Sequence, residues 1–166
     1  MNNLIVRLAE QQDVAALSDL YVELHAFHVD HLPDRLRMLD SAPDQPDLAL
    51  EQGIRRILAD ADSAIFVAEI DGQVVGLAEM SVRDPDTHPL RVTRRYAHLQ
   101  SLVVSRRFRH LGIGIRLIEA AQHWAKERGA AEMQLDLWEF AAGPLPFYAA
   151  LGYRTLKRTM VKALKE

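Results

Sequence analysis

The chain has 166 residues, of which 49% are apolar and 26% charged, and this predicts one globular domain spanning residues 1–166. The absence of cysteine excludes disulfides, thiolate zinc sites, iron–sulfur clusters and a cysteine nucleophile. Twenty Lys and Arg residues against 23 Asp and Glu residues give a net charge of −3, which argues against nucleic acid as the partner.

The sequence lacks the patterns of membrane insertion and secretion. Its apolar runs are far shorter than the roughly 20 residues that cross a bilayer. Residues 1–5 contain neither the basic region nor the small-residue cleavage site of a secretory signal. Together with the absence of cysteine, these features predict a cytoplasmic protein with no membrane partner.

The first part of the chain has a helical period after one short strand. Residues 4–8 suit a strand, and the apolar residues that follow Asp13 recur at helical spacing, with Asp13 as the expected capping or first-turn acid. A second helix is predicted from Asp47 onwards. The segment 32–47 between the helices contains three prolines and is predicted to be a loop.

The middle of the chain has the period of a β-hairpin. Residues 64–70 and 73–80 are predicted strands, and Asp71-Gly72 between them is typical of a tight hairpin turn. The proline- and arginine-rich segment 83–95 is predicted to be a second loop.

The last part of the chain alternates strands with helices. We predict a strand over 96–104, a helix up to about Arg128 that Gly129 terminates, a strand over 133–138, a short helix over 144–150 and a closing strand over 153–161. The side chains expected to face inward from the longer helix are Leu111, Ile115, Ile118, Ala121 or Gln122, and Ala125. The whole order predicts a mixed sheet with helices on its faces.

The segment that points to chemistry joins the strand 102–104 to the helix that Gly112-Ile113-Gly114 opens. A helix N-terminus has unpaired N–H groups and a partial positive charge, and glycines let an anion approach the backbone closely. Arg106, Arg107 and Arg109 add positive charge. The segment therefore predicts a phosphate or diphosphate site, although a Gly-x-Gly turn of this kind also fits a purely structural role.

Two nucleotide motifs are disfavoured at this turn. A Walker A loop requires Gly-Lys-Ser/Thr, whereas Gly114 is followed by Ile115-Arg116. A dinucleotide fingerprint requires a third small residue where this chain has Leu117, and its turn follows the first strand of a domain. The sequence therefore disfavours a phosphate-binding module for ATP or NAD.

Arg109-x-x-Gly112-x-Gly114, preceded by Leu102-Val103-Val104, resembles the acyl-CoA-binding motif of the GCN5-related N-acetyltransferase (GNAT) superfamily. The predicted hairpin 66–76 resembles the second and third strands of this family. Trp138-Glu139-Phe140 and the block 147–153 resemble its last conserved segment. The resemblance covers nearly the whole chain.

The resemblance implies an α/β (α+β) fold with a mixed, mostly antiparallel sheet of about six strands and about four helices. The fourth and fifth strands are parallel and are splayed at the cofactor site. Acetyl-CoA is the implied co-substrate, without a metal. Backbone groups of Leu102, Val103 and Val104 would pair with the pantetheine arm, and an N–H near Val103 would polarise the thioester carbonyl. The pyrophosphate would be bound by the amides of Arg109, His110, Leu111, Gly112, Ile113 and Gly114.

The resemblance also implies catalytic residues. Tyr148 would protonate the departing thiolate, although Phe147 and Tyr148 also fit a role as core aromatics. The general base is left open: many relatives have a glutamate at the position of Gln100, whose amide cannot titrate. His98 lies two residues earlier on the same strand face. Glu79, Glu139 and a water held by Gln100 are the alternatives.

The sequence gives the least information about the binding site of the amine that accepts the acetyl group. In the family the first two helices cover the acceptor pocket, which makes Phe27, His28, His31 and Glu79 the candidate substrate-binding residues. The histidines also fit a polar edge of an amphipathic helix. A metal site is disfavoured, because no carboxylate at a defined spacing and no thiolate accompanies them. Where many relatives have asparagine and alanine, this chain has Ala141 and Pro144, which puts a side-chain contact with the cofactor there in doubt.

Two functions follow from the sequence. The first is an N-acetyltransferase that transfers an acetyl group from acetyl-CoA to a primary amine of a small molecule, peptide or protein by direct attack in a ternary complex. The second is a non-catalytic acyl-CoA-binding or regulatory module of the same fold, which Gln100 and Ala141 favour. Homodimers are common in the family, so a second copy of the chain is a further partner that the resemblance implies.

Overall fold

The computed structural model describes residues 3–38 and 47–164. The chain divides into two compact units, Met1–Asp136 and Leu137–Glu166. The proline-rich loop expected over 32–47 therefore lies, in its residues 39–46, outside the described residues.

The first unit is a sheet with helices on its faces. Within the described residues its elements are β1 (Leu4–Leu8), α1 (Val14–His31), α2 (Leu48–Ala59), β2 (Ser63–Ile70), β3 (Gln73–Arg83), β4 (Tyr96–Val104), α3 (Ile113–Glu127) and β5 (Glu132–Leu135). The strands follow their sequence order across the sheet, and every neighbouring pair is antiparallel except β4 and β5, which are parallel. This confirms the mixed, mostly antiparallel sheet that the sequence predicts.

The core of the first unit lies between the sheet and α1 and α2. Leu17 of α1 and Ile54 of α2 are buried against Val67, Leu77 and their neighbours. Because successive strand residues face opposite sides, Gly76 lies on the other face, where a Cβ added to it would meet Leu117 of α3. The same Cβ would lie 2.9 Å from the carbonyl oxygen of Val103, so glycine lets β3 and β4 approach closely.

Several local signals of the sequence are confirmed. Asp71 and Gly72 both have positive φ, at 49° and 82°, as a tight hairpin turn with two left-handed residues requires. The Asp47 carboxylate accepts hydrogen bonds from the amides of Ala49 and Leu50 and caps α2. Gly129, at φ 76°, donates to the Lys126 carbonyl and ends α3.

The second unit contains α4 (Leu145–Ala150), which starts directly after Pro144. Residues 153–164 form neither strand nor helix, so the closing strand expected over 153–161 is wrong. The sheet has five strands in the described residues instead of about six. An alternation of apolar and polar residues with a period of two indicates a segment that can form a strand. The strand forms only where a neighbouring backbone supplies its hydrogen bonds.

The inward face of α3 agrees with the expected one at Ile118, Ala121 and Ala125 and differs at its start. Leu111 precedes the helix and is 62% exposed, and Ile115 is 40% exposed. The helix begins at Ile113, which is buried in their place. The residues that are buried along α3 are Ile113, Leu117, Ile118, Ala121, Trp124 and Ala125.

Asp13 occupies the N-cap position of α1, as expected, but its side chain makes no capping hydrogen bond to that helix. Its carboxylate accepts a hydrogen bond from Arg7 at 2.7 Å and one from the Glu10 amide at 2.7 Å. Arg7 also donates to Glu69 of β2 at 2.8 Å. The bond from Arg7 lowers the pKa of Asp13 below its ordinary value, so this ion pair fastens β1 to the start of α1.

We expect Asp13→Asn to lower the free energy of unfolding at pH 6 by about 1.5 kcal/mol, because Arg7 loses its charged partner Asp13 and keeps Glu69. A carboxyl group whose folded pKa is depressed stabilises the protein above its unfolded pKa, near 3.8, and loses this contribution as the pH falls further. Urea unfolding at pH 6 and pH 3 should therefore show the difference shrinking in acid. Asp19→Asn, an exposed change on α1, is the control; a difference independent of pH would contradict the assignment.

Candidate functional site

The open side of β4 is the first feature of the candidate site. The parallel pairing with β5 joins Tyr96 to Glu132 and stops at Leu99 and Leu135, although β4 continues to Val104. Within residues 3–38 and 47–164, no strand pairs with the last five residues of β4 on that side. This is the parting of the fourth and fifth strands that the family resemblance implies.

The ladder with β3 decides which backbone groups of β4 face the open side. The amide of Ser105 donates to the Val75 carbonyl at 2.8 Å, and Val103 pairs with Leu77 two residues away. Because the hydrogen-bonding direction alternates along an antiparallel strand, the N–H of Val103 is directed towards β3. The groups directed away from β3 are therefore those of Leu102 and Val104.

The glycine turn lies directly after β4. His110 has a φ of 64° and Gly112 a φ of 76°, so the chain takes two left-handed steps before α3 begins. The first residue of α3, Ile113, is buried in the core. The amides of Ile113, Gly114 and Ile115 have no acceptor inside the helix, since an α-helix bonds each amide to the residue four before it. Three N–H groups and the helix dipole are thus aimed out of one helix end, as anion binding requires.

The guanidinium of Arg109 is bonded inside the protein. It donates to the carbonyl of Val104 and to the carboxylate of Glu23 on α1. Its charge is therefore balanced by an acid of the first helix. The amides at the start of α3 therefore stay the predicted anion-binding groups of the turn.

A polar cluster surrounds a bulge in β4. Gln100 has no partner on β3, because Ser101 pairs with Glu79 and Leu99 with Met80. The Oε1 of Gln100 accepts from Arg83 at 3.1 Å and lies 3.0 Å from the Nδ1 of His98, which must carry the hydrogen of that bond. The structure thus brings His98 and Gln100 together, as predicted.

The other ring nitrogen of His98 points to a carboxylate. His98 is buried, and its Nε2 lies 3.1 Å from an oxygen of Asp136, which directly follows β5. A carboxylate only accepts, so Nε2 makes a hydrogen bond with Asp136 when it carries a hydrogen.

Glu79 is held on the face of the sheet that α1 covers. Its Oε2 accepts hydrogen bonds from the Tyr21 hydroxyl of α1 at 2.6 Å and from the Ser101 hydroxyl of β4 at 3.2 Å. Burial, together with the charge of Glu79, raises the pKa of Tyr21. This places an acidic group between α1, β3 and β4.

The three candidate residues on α1 are close to one another. The ring of Phe27 lies 5.8 Å from that of His28 and 4.5 Å from that of His31. The Phe27 ring also faces Arg109, whose guanidinium carbon lies 5.4 Å from its centroid. Burial lowers the pKa of His28, which favours its neutral form. These contacts place Phe27 next to the glycine turn.

Tyr148 belongs to the second unit. Its ring makes edge contacts with Phe147 and Tyr153, at 5.2 and 5.5 Å between centroids. Burial raises the pKa of its phenol above the ordinary value, which keeps the hydroxyl protonated at neutral pH. Glu139, an alternative base, lies 3.8 Å from Arg158.

Sequence reasoning did not identify several polar partners at the site. Asp136 was assigned to a strand, yet its place at the carboxyl end of a strand parallel to β4 was a usable signal. Arg83 and Ser101 depend on the register of β4 against β3, and Tyr21 and Glu23 depend on how α1 packs. No sequence pattern indicates these contacts.

The comparison with protein families identifies the chain. Residues 25–153, well over half of it, match the model described as the acetyltransferase (GNAT) family. The chain therefore belongs to the GNAT acetyltransferase family. It is an acyltransferase of the class that uses acetyl-CoA.

Two curated relatives differ in the acceptor that their names give. An N-alpha-acetyltransferase of Sulfurisphaera tokodaii is 30% identical over 60% of this chain and 62% of its own length. An aminoglycoside N(6')-acetyltransferase type 1 of Salmonella typhimurium is 27% identical over 83% of this chain and 93% of its own length.

Solved structures share the fold at low sequence identity. A mutant of the BH1408 protein from Bacillus halodurans has a TM-score of 0.86 at 23% identity, over 97% of this chain and 99% of that one. The aminoglycoside N-acetyltransferase AAC(6')-Iy in complex with a CoA-containing bisubstrate analogue has a TM-score of 0.74 at 23% identity, over 98% and 99%.

The described residues contain neither a metal-binding cluster nor a membrane-spanning helix. No group of three or more His, Asp or Glu side chains there is arranged to hold a metal ion. No helix in the same residues has the length and apolarity to cross a membrane.

Gly112 and Gly129 offer a matched test of the turn, because both have a φ of 76° and neither would bring a Cβ within 4 Å of other atoms. We expect alanine at either position to cost about 1 kcal/mol of stability through backbone strain. Only Gly112→Ala should weaken binding of CoA, by at least about tenfold, since it disturbs the amides at the start of α3. Isothermal titration calorimetry with CoA measures this. Equal affinities in the two variants would contradict the role of the turn.

Proposed function

We propose that this protein transfers the acetyl group of acetyl-CoA to a primary amine of a small molecule by direct attack in a ternary complex. The observation that carries the proposal is a strand, β4, whose open side leads directly into three unpaired amides of α3. The names of the aminoglycoside-acetylating relatives support a small-molecule acceptor, whereas the archaeal relative keeps an amine of a peptide as the alternative.

The main chain would bind the co-substrate. We assign the diphosphate to the segment from Arg109 to Gly114, with the amides of Ile113 and Gly114 as the principal donors. The pantetheine arm would pair with the groups of Leu102 and Val104 that face away from β3, in the manner of an added strand. An N–H at this place would donate to the thioester carbonyl and stabilise the negative charge that forms there. When bound, acetyl-CoA supplies an acetyl group activated as a thioester.

His98 is the general base in this proposal. An ammonium group must lose a proton before its nitrogen can attack, and a neutral imidazole accepts a proton near pH 7. Gln100 would hold the ring through Nδ1, so that Nε2 carries the lone pair. Asp136 would receive the hydrogen bond of the proton taken up. Gln100 thus orients the base where many relatives have a glutamate.

Tyr148 is the general acid in this proposal. Its role rests on the resemblance of the block 147–153 to the last conserved segment of the family. The departing thiolate of CoA needs a proton, and a buried phenol with a raised pKa is protonated at the pH of the reaction. No covalent intermediate with the protein is required, in agreement with the absence of cysteine.

The acceptor would bind between α1 and the sheet. We assign its recognition to Phe27, His28 and His31 of α1 and to Glu79 of β3. Two hydroxyl donors hold the Glu79 carboxylate in place, which suits a group that attracts a cationic amine. A neutral His28 would add hydrogen bonding without repelling the positive charge of the acceptor.

A homodimer and a cytoplasmic location stay predictions of the sequence. Light scattering of the purified protein tests the first. Cell fractionation of the tagged full chain tests the second.

The first experiment on the function is a screen for an acceptor. Release of free CoA thiol would be measured with an aminoglycoside, a polyamine, glucosamine 6-phosphate and peptides with free N-termini. We expect turnover with at least one small-molecule amine. Binding of acetyl-CoA without turnover of any amine would instead support the non-catalytic acyl-CoA-binding module.

Tyr148→Phe should lower kcat by about 100-fold, because it removes the proton of the general acid and keeps the ring. The affinity for CoA measured by calorimetry should stay within about twofold. Tyr96→Phe, at the start of β4, removes the same hydroxyl group elsewhere in the chain and is the control, which should keep nearly full activity. A kcat of Tyr148→Phe equal to that of the wild type would remove Tyr148 from the mechanism.

His98→Gln should lower kcat by about 100-fold or more, because glutamine keeps a polar group but accepts no proton. The affinity for CoA measured by calorimetry should stay within about twofold. His123→Gln, at an exposed site on α3, is the control. If His98→Gln keeps the kcat of the wild type, Glu79 or a water on Gln100 becomes the preferred base.

A further inference from the structure

Glu23 of α1 is bonded to the segment that precedes the glycine turn. Its Oε1 accepts a hydrogen bond from the backbone amide of Arg106 at 2.7 Å and one from Nη2 of Arg109 at 3.3 Å. The two residues lie at the two ends of a four-residue segment between β4 and the turn. One carboxylate of the first helix therefore holds both ends of this segment.

Arg109 connects the same segment to the end of β4. Its Nε donates to the carbonyl oxygen of Val104 at 3.0 Å, and its guanidinium lies over the ring of Phe27. The Val104 carbonyl is one of the groups that face away from β3. Arg109 thus joins the last residue of β4, the turn and α1, and its planar guanidinium makes these contacts at the same time.

The turn needs such support because it takes an unfavourable backbone path. His110 adopts a φ of 64°, which is uncommon for a residue other than glycine, and Gly112 follows at 76°. A backbone path of this kind persists only where its surroundings fix it. The bonds of Glu23 and Arg109 act directly before these two residues.

We propose that Glu23 and Arg109 are positioning residues for the diphosphate of the co-substrate. They hold the 106–109 segment so that the amides of Gly112, Ile113 and Gly114 are preorganised for the anion. Glu23 is an acid that promotes anion binding without touching the anion, because it acts through the backbone of Arg106 and the side chain of Arg109. The inference rests on the proposed function and adds to it a contribution of α1 to co-substrate affinity.

The test compares two acetyl donors, acetyl-CoA and S-acetylpantetheine, which carries the same thioester but no diphosphate. We expect Glu23→Ala to raise KM for acetyl-CoA about tenfold with little change in kcat, and to leave kcat/KM for S-acetylpantetheine within about twofold. Calorimetry with CoA should show the same loss in Kd. Asp19→Ala, an equal charge change at an exposed site on α1, should change neither.

Conservative variants separate positioning from folding. Glu23→Gln keeps an oxygen that accepts from the Arg106 amide but loses the charge opposite Arg109, so we expect an intermediate KM. Arg109→Lys keeps the charge but not the planar contacts with both Glu23 and Val104, and should resemble Glu23→Ala. These two variants also test the inference if Glu23→Ala does not fold.

Three results would overturn the inference. An equal loss with both donors would mean that Glu23 supports the fold in general. Unchanged KM and Kd for the CoA compounds in all three variants would mean that the segment needs no support from α1. A wild-type protein that does not bind CoA would refute the proposed function itself and the inference with it.

Discussion

The early end of the pairing between β4 and β5 is the constraint on which the rest of the site depends. After Leu99 and Leu135 the two strands no longer share hydrogen bonds, while the ladder to β3 continues to Ser105. The backbone groups of Leu102 and the N–H of Val104 are therefore available to another strand on this side, while the Val104 carbonyl accepts a hydrogen bond from Arg109. β4 leads directly into the turn before α3. A linear ligand that lies along β4 would therefore contact backbone groups of the strand and then the amides at the start of α3.

Two irregularities of the backbone, one within β4 and one directly after it, shape the candidate site. The bulge at Gln100 removes one residue from the ladder and brings its side chain to His98, whose other nitrogen faces Asp136 at the end of β5. The left-handed steps at His110 and Gly112 turn the chain so that α3 begins directly after β4. Each irregularity costs free energy and is held by polar contacts with other elements, as is common at functional sites.

Local signals in the sequence predicted much of the fold and the place of the glycine turn. Asp71-Gly72 and Asp47 were assigned correctly because turn and cap geometry depends on neighbouring residues. The glycine turn was found for the same reason. The absent strand over 153–161 and the exposure of Ile115 depend on what packs against a segment, which a period does not show. The bond between Glu23 and Arg109 joins residues 86 positions apart, and no local pattern indicates it.

The central claim is that main-chain groups of β4 and α3 bind CoA. Amide hydrogen exchange of the full chain, followed by NMR with and without CoA, tests it residue by residue. The account predicts added protection at Leu102 or Val104 and at Ile113 and Gly114 when CoA is present, with little change at the far end of α3. Protection that appears elsewhere and leaves these amides unchanged would contradict it.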